Sequence, residues 1–251
     1  MAGAAMFDQR LRIGRLTTAL TDGDRRFRLT VESLEFSQGT VIAVTGASGS
    51  GKTLFLELLG LLRAPDAGAE YALLGAAGQK MTDVGALWAR GVRSAALAAT
   101  RGGVFGFVPQ SGALIPFLSV LENVTLTQRV TGREDAGRVH RLLDRLGLSA
   151  VKGLRPEALS IGQRQRVSIA RALAHRPAFV IADEPTAALD QDAAETVMTL
   201  LIETAKMEGV GVILSSHDVD RLNRLALPRL HFASHLLGPG EIFSTAEMTA
   251  C

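Results

Sequence analysis

The chain has 251 residues, 47% of them hydrophobic, and a formal net charge of only +2. That length holds one large or two small domains, and that apolar share supplies a sizeable core. The balanced charge, with no basic block, argues against a nucleic-acid stripe, and a single terminal cysteine, Cys251, excludes an internal disulfide framework or cysteine metal site.

At the N-terminus, Met1 to Arg10 has no apolar core and carries Asp8, so no signal peptide is expected; Ala2 argues against myristoylation. Residues 10–40 alternate in short stretches. Phe27, Leu29 and Val31 share one face, Arg28, Thr30 and Glu32 the other, which predicts a strand. Thr21-Asp22-Gly23-Asp24 reads as a turn between two strands, and Gln38-Gly39 as a second turn. Val41-Ile42-Ala43-Val44 reads as a buried strand.

Next comes Gly46-Ala47-Ser48-Gly49-Ser50-Gly51-Lys52-Thr53, which fits the phosphate-binding pattern G-x-x-x-x-G-K-[ST]. A triphosphate end is highly anionic, and a loop wraps it only if backbone N–H groups turn inward. Gly46, Gly49 and Gly51 permit the dihedrals and close approach this needs. Lys52 supplies a point charge for the outer phosphates, and the Thr53 hydroxyl can ligate Mg²⁺. A helix is expected over Leu54 to Leu62, its N-terminus aimed at the phosphates. Asp66 to Gly78 reads as loop with a strand at Tyr71 to Leu74. Residues 81–100, with Leu87, Trp88, Val92 and Leu97, read as one helix that Gly102-Gly103 breaks.

Val104 to Val108 is a strand ending in Pro109-Gln110. A helix is expected from about Ser119, with Val120, Leu121 and Val124, and another from about Glu134 to Leu146, stopped by Gly147. No strand signal falls between 111 and 176, so about 111–176 reads as a helical insert in a single domain spanning 1–251. Ser160-Ile161-Gly162-Gln163 is a capping box before a helix that ends ahead of Pro177. Phe179 to Ala182 is a buried strand that stops at Asp183-Glu184-Pro185. Asp190 can cap the following helix, where Ala194, Val197, Met198, Leu201 and Ala205 repeat at helical spacing. Val210 to Leu214 is a strand that stops at Ser215-Ser216-His217-Asp218. After Pro228 the apolar pieces (230–232, 236–237, 242–243) are short. No run of about 18 apolar residues escapes charges such as Glu57 and Arg63, so no membrane span is expected. The strand–helix alternation argues an α/β fold with a parallel sheet and ligands at strand C-terminal ends.

Four apolar strands end in polar groups: the phosphate loop, Gln110, Asp183-Glu184 and His217. Asp183 is placed to hold Mg²⁺ near the nucleotide. Glu184 is the candidate general base for a water that attacks the γ-phosphate. Gln110 can contact the metal or that water, or be a simple loop residue. His217 can hydrogen-bond the γ-phosphate, or be structural.

The order of segments resembles the ATP-binding-cassette (ABC) ATPases over nearly the whole chain. Leu159-Ser160-Ile161-Gly162-Gln163-Arg164-Gln165-Arg166 is similar to their signature motif, followed in order by Ala182-Asp183-Glu184-Pro185-Thr186, Ala188-Leu189-Asp190 and Ser216-His217-Asp218. The resemblance implies a P-loop NTPase fold with a RecA-like core, an N-terminal antiparallel β subdomain and an inserted α-helical subdomain. It implies ATP and Mg²⁺, with Glu184 as the catalytic glutamate, Gln110 on the Q-loop and His217 as the switch histidine. It also implies a homodimer in which Ser160, Gly162, Gln163 and Asp190 of one copy meet the nucleotide on residues 46–54 of the other. The partners would be integral-membrane permease subunits, not nucleic acid, placing the chain at the cytoplasmic face of the membrane.

Gly106-Phe107-Val108-Pro109-Gln110, Leu114-Ile115-Pro116 and Leu121-Glu122-Asn123-Val124 resemble the lipoprotein-releasing, macrolide-exporting and cell-division subgroup. There, residues 111–125 would line the groove for a permease helix, with Leu114, Ile115, Phe117 and Leu118 as contacts, or else form core of the helical insert. Three departures stand out. Ile161 replaces a glycine and resists φ > 0; Leu54 replaces a hydroxyl; the adenine-stacking aromatic expected near Gly23 is missing, with Phe27 the nearest. A regulatory cassette with little turnover, or a soluble ABC protein outside transport, are the alternative readings.

Overall fold

The computed structural model describes residues 9–75, 82–91, 93–238 and 241–249, without the side chains of Arg25 and Leu237. The N-terminal reading on Met1 to Asp8, together with Gly78, Val92 and Cys251, lies outside the described residues. The chain divides into two compact units, Met1–Ala98 with His217–Cys251, and Ala99–Ser216.

The first unit opens with a long hairpin. Strands β1 (Arg10–Asp22) and β2 (Arg25–Ser37) pair antiparallel around Gly23, whose φ of 56° suits the turn. Leu29 and Val31 are buried while Arg28 and Glu32 are exposed, as the alternation predicts. The phase then changes at Ser33 (φ 53°), after which Leu34 and Phe36 are buried. Opposite, β1 changes phase at Gly14, between buried Ile13 and buried Leu16. The matched shift keeps both strands' apolar sets on the core face.

Strand β3 (Val41–Gly46) leads to α1 (Lys52–Leu59). This helix starts earlier and stops sooner than the expected Leu54–Leu62. Gly60 caps it, Leu61 turns left-handed (φ 59°), and the buried Tyr71 hydroxyl donates to the Leu59 carbonyl at 2.6 Å. Tyr71 sits on β4 (Glu70–Leu74), which pairs with β1 and with β5 (Thr82–Asp83). The expected single helix over 81–100 is two, α2 (Val84–Ala89) and α3 (Ala95–Val104), and α3 runs through Gly102-Gly103. Two helical glycines cost about 1 kcal/mol each. Arg133 offsets part of this by donating to the Gly103 carbonyl at 3.0 Å.

Three parallel strands organise the second unit in the order β6 (Phe105–Val108), β7 (Phe179–Ala182), β8 (Gly211–Ser215). Between β6 and β7 run α4 (Val120–Thr131), α5 (Ala136–Arg145) and α6 (Ile161–Ala174); α7 (Gln191–Met207) follows β7. Gly106 lets α6 lie against β6, since a Cβ there would stand 2.1 Å from the Ala172 carbonyl oxygen. Arg138 of α5 donates to the Leu173 and Ala174 carbonyls and to Glu208. His175, after α6, is buried with Nε2 at 3.0 Å from the Phe105 carbonyl, and burial pulls its pKa down to about 4.

Helix α8 (Val219–Arg224) belongs to the first unit, as do the last two strands. The stretch after Pro228, legible only as scattered apolar pieces, is a hairpin of β9 (Arg229–Gly238) and β10 (Glu241–Thr249). Strand β9 runs parallel to β3 and β10 parallel to β2, giving the order β5-β4-β1-β2-β10-β9-β3.

Candidate nucleotide-binding site

The phosphate loop joins β3 to α1 in the first unit. Gly46 takes φ 144°, and a Cβ on it would stand 2.7 Å from both the Phe232 carbonyl and Ser50 Oγ. Gly51 (φ 93°) is the N-cap of α1, which has no side-chain cap. Lys52 is buried, and its Nζ donates to the Gly46 and Ala47 carbonyls at 2.9 and 3.0 Å. The ammonium thus sits inside the curve of the loop. Ser50 Oγ is buried without a hydrogen-bond partner among the described residues, while the Ser50 carbonyl accepts from Ser244 Oγ at 2.7 Å. Ala47, Ser48, Gly49 and Thr53 are exposed; the Leu54 side chain is buried, so only its backbone could serve a ligand. An orphaned hydroxyl, an uncapped helix start and an enclosed cation fit a phosphate chain. His217 lies in this unit too, exposed, just before Asp218, which accepts from the Arg221 N–H at 2.9 Å and caps α8.

In the second unit the candidate residues gather at the C-terminal edge of β6-β7-β8 and at helix starts. Gln110 is exposed beyond β6. Asp183 and Glu184 follow β7, and the Asp183 N–H donates to the Val108 carbonyl at 3.0 Å. Ser215, fully buried at the end of β8, donates to Asp183 Oδ1 at 2.6 Å and accepts from the Glu184 N–H at 2.8 Å. Sequence reasoning assigned Ser215 nothing; its signal was a hydroxyl at the end of an apolar strand. Glu184 has φ 43°, a left-handed backbone that is costly for a residue other than glycine and recurs at functional sites. Arg171 of α6 donates to the Gly112 and Ala113 carbonyls at 2.9 and 2.8 Å, fixing the segment after Gln110; desolvation lowers its pKa.

Ser160 caps α6 with both halves of the capping box made: the Gln163 N–H donates to Ser160 Oγ at 3.2 Å, and the Ser160 N–H to Gln163 Oε1 at 2.9 Å. A Cβ on Gly162 would meet only the Leu189 methyl, at 4.0 Å. Ile161 is 48% exposed, and it is not among the residues with positive φ. That corrects the expectation that a β-branched residue there would oppose a left-handed backbone, since the first turn of a helix needs none. Asp190 caps α7, accepting from the Ala193 N–H at 2.8 Å.

A strand, a glycine loop enclosing a lysine and an uncapped helix define a P-loop nucleoside triphosphatase. The family model "ABC transporter" matches residues 29–187. The chain is 37% identical over 225 residues to the lipoprotein-releasing system ATP-binding protein LolD of Idiomarina loihiensis, covering 88% of this chain and 93% of that protein. It is 41% identical over 199 residues to the macrolide export ATP-binding/permease protein MacB of Bradyrhizobium diazoefficiens, covering 77% of this chain and 28% of that protein. Among solved structures it resembles the dimeric bacterial ABC transporter cassette MJ0796, with a TM-score of 0.73, 29% identity and coverage of 92% of this chain and 96% of that one. A post-hydrolysis dimer of MJ0796 with ADP and Pi matches with a TM-score of 0.71, at 29% identity and the same coverage of each chain. The chain belongs to the ABC transporter family and is an ABC ATPase. Among the described residues no helix is long and apolar enough to cross a membrane.

Proposed function

We propose that the chain is the ATP-binding and ATP-hydrolysing subunit of a membrane ABC system of the lipoprotein-releasing type. The observation that carries it is the phosphate loop, where an enclosed Lys52 and an orphaned Ser50 hydroxyl stand at an uncapped helix start. The subgroup rests on the match to LolD over 93% of that protein. In this reading residues 46–54 hold the phosphates of ATP. Thr53, Gln110 and Asp183 are the residues that would hold Mg²⁺, which offsets phosphate charge when bound. Glu184 takes a proton from the attacking water, and His217 hydrogen-bonds the γ-phosphate. Ser160, Gly162, Gln163 and Asp190 of a second copy close on the nucleotide, so two chains pair and drive a permease at the cytoplasmic face of the membrane. The solved dimers of MJ0796 support the pairing.

The test is Glu184→Gln. It should keep ATP binding and lower turnover by roughly 10²- to 10⁴-fold, the usual contribution of a general base. Unchanged hydrolysis removes Glu184 from the role. The permease is tested by copurification of the tagged chain from membranes, where recovery of the cassette alone contradicts it.

A further inference from the structure

Strand β8 ends on a hydroxyl that no step of the hydrolysis described above employs. Strands β7 and β8 pair up to Ala182 and Leu214, so Asp183 and Ser215 are the next residues in register. Ser215 is fully buried, next to apolar strand residues such as Leu214 and Ile213. A polar group in such a place needs partners. Ser215 Oγ stands 2.6 Å from Asp183 Oδ1 and 2.8 Å from the Glu184 backbone nitrogen. The direction of both bonds is fixed. A backbone N–H only donates, and a charged carboxylate only accepts. The single hydroxyl proton therefore goes to Asp183, and a lone pair of the same oxygen accepts the Glu184 N–H. The chain runs from the Glu184 amide through Ser215 to the Asp183 carboxylate, and each bond polarises the next.

Glu184 is the residue at which the backbone turns left-handed, with φ 43°. A conformation of that kind persists only where its surroundings hold it. On one side the Asp183 N–H donates to the Val108 carbonyl at 3.0 Å, and on the other the Glu184 carbonyl accepts from the Ala187 N–H at 3.1 Å. Resting on the reading that Glu184 takes a proton from the attacking water, we propose that Ser215 is a positioning residue for that step. It ties the turn at Glu184 to the Asp183 carboxylate and so aims the base. Being fully buried, Ser215 touches no ligand itself. A general base works only within hydrogen-bond reach of the proton it takes, and a small misplacement costs large factors in rate. Nucleotide affinity rests on the phosphate loop, so loss of the hydroxyl acts on turnover and not on binding. An alanine at 215 supplies neither bond.

The test compares the full chain unaltered, as Ser215→Ala, as Glu184→Gln and as the double variant. Each is measured by ATP turnover, by calorimetric titration with Mg-ATP and by amide hydrogen exchange without nucleotide. Ser215→Ala should lower kcat by about ten- to a hundredfold, as loss of a partner that orients a working group does. The Kd for Mg-ATP should stay within about twofold of the unaltered value, since no ligand contact is removed. Exchange at the Glu184 amide should quicken by about tenfold or more. On top of Glu184→Gln the same change should cost less than about threefold, because residues that act as a unit are not additive. Ser215→Cys keeps the shape with a weaker hydrogen-bonding group, and it carries the same expectations if Ser215→Ala does not fold. Unchanged kcat with a lowered melting temperature makes Ser215 a support of the strand end alone and overturns the proposal. So does a full loss repeated on top of Glu184→Gln, or unchanged exchange at the Glu184 amide. Normal turnover by Glu184→Gln instead overturns the general-base reading, and the role of Ser215 with it.

Discussion

Helices α1 and α6 begin in opposite ways. At α1 the N-cap is Gly51, with no side chain to satisfy the first amides, and the nearest cation folds back onto loop carbonyls. At α6 the N-cap is Ser160, and the box with Gln163 closes on itself. The first turn of a helix leaves four N–H groups without intrahelical partners. The start of α1 leaves these to a ligand, whereas α6 supplies a partner from its own sequence. The difference separates a binding site from a preformed surface. In the proposed reading the phosphate loop is completed by the nucleotide, whereas the start of α6 is already closed by its own residues.

That contrast is open to attack at several points. The largest effect is expected from Lys52→Ala, which removes the loop's cation. Two charge-assisted hydrogen bonds to phosphate are lost, so ATP affinity should fall by about a thousandfold in calorimetry. Near-native affinity would mean that the loop is not the phosphate site. Next in size is a pH effect at the far end of α6. His175 is held with its pKa near 4, below the ordinary value of 6.5. Its unfolded form takes up a proton at higher pH than its folded form. Stability is therefore lost as pH falls from about 6.5 to about 4, by roughly 3 kcal/mol once both values are passed. Urea melts of the unaltered protein and of His175→Asn across that range should differ in slope; parallel curves would dismiss His175 as the cause. The smallest effect is Ser160→Ala, which should cost about 1 kcal/mol of stability in melts without nucleotide. No loss would show that the capping box does not hold α6.

The phosphate loop, the capping box at Ser160 and the face of α7 were legible because each rests on residues within a few positions of one another. Glu184 was legible as a carboxylate behind an apolar strand, but not in its left-handed backbone, which depends on Ser215 thirty-one positions away. The continuation of α3 through two glycines was hidden because Arg133 is brought to it only by the fold. The C-terminal hairpin was missed for a related reason. Its apolar residues alternate weakly, and their register is set by β2 and β3, far earlier in the chain. The resistance of Ile161 to φ > 0 has no consequence, because the chain is already helical there.

The most direct measurement is amide hydrogen exchange on Glu184→Gln, with and without Mg-ATP, at a protein concentration that keeps the chain monomeric. Binding should slow exchange by tenfold or more at the amides of Ser48 to Thr53, as new hydrogen bonds form, while the first turn of α6 changes little. ATP bound with no added protection at those six amides, or with protection confined to α6, would contradict the account.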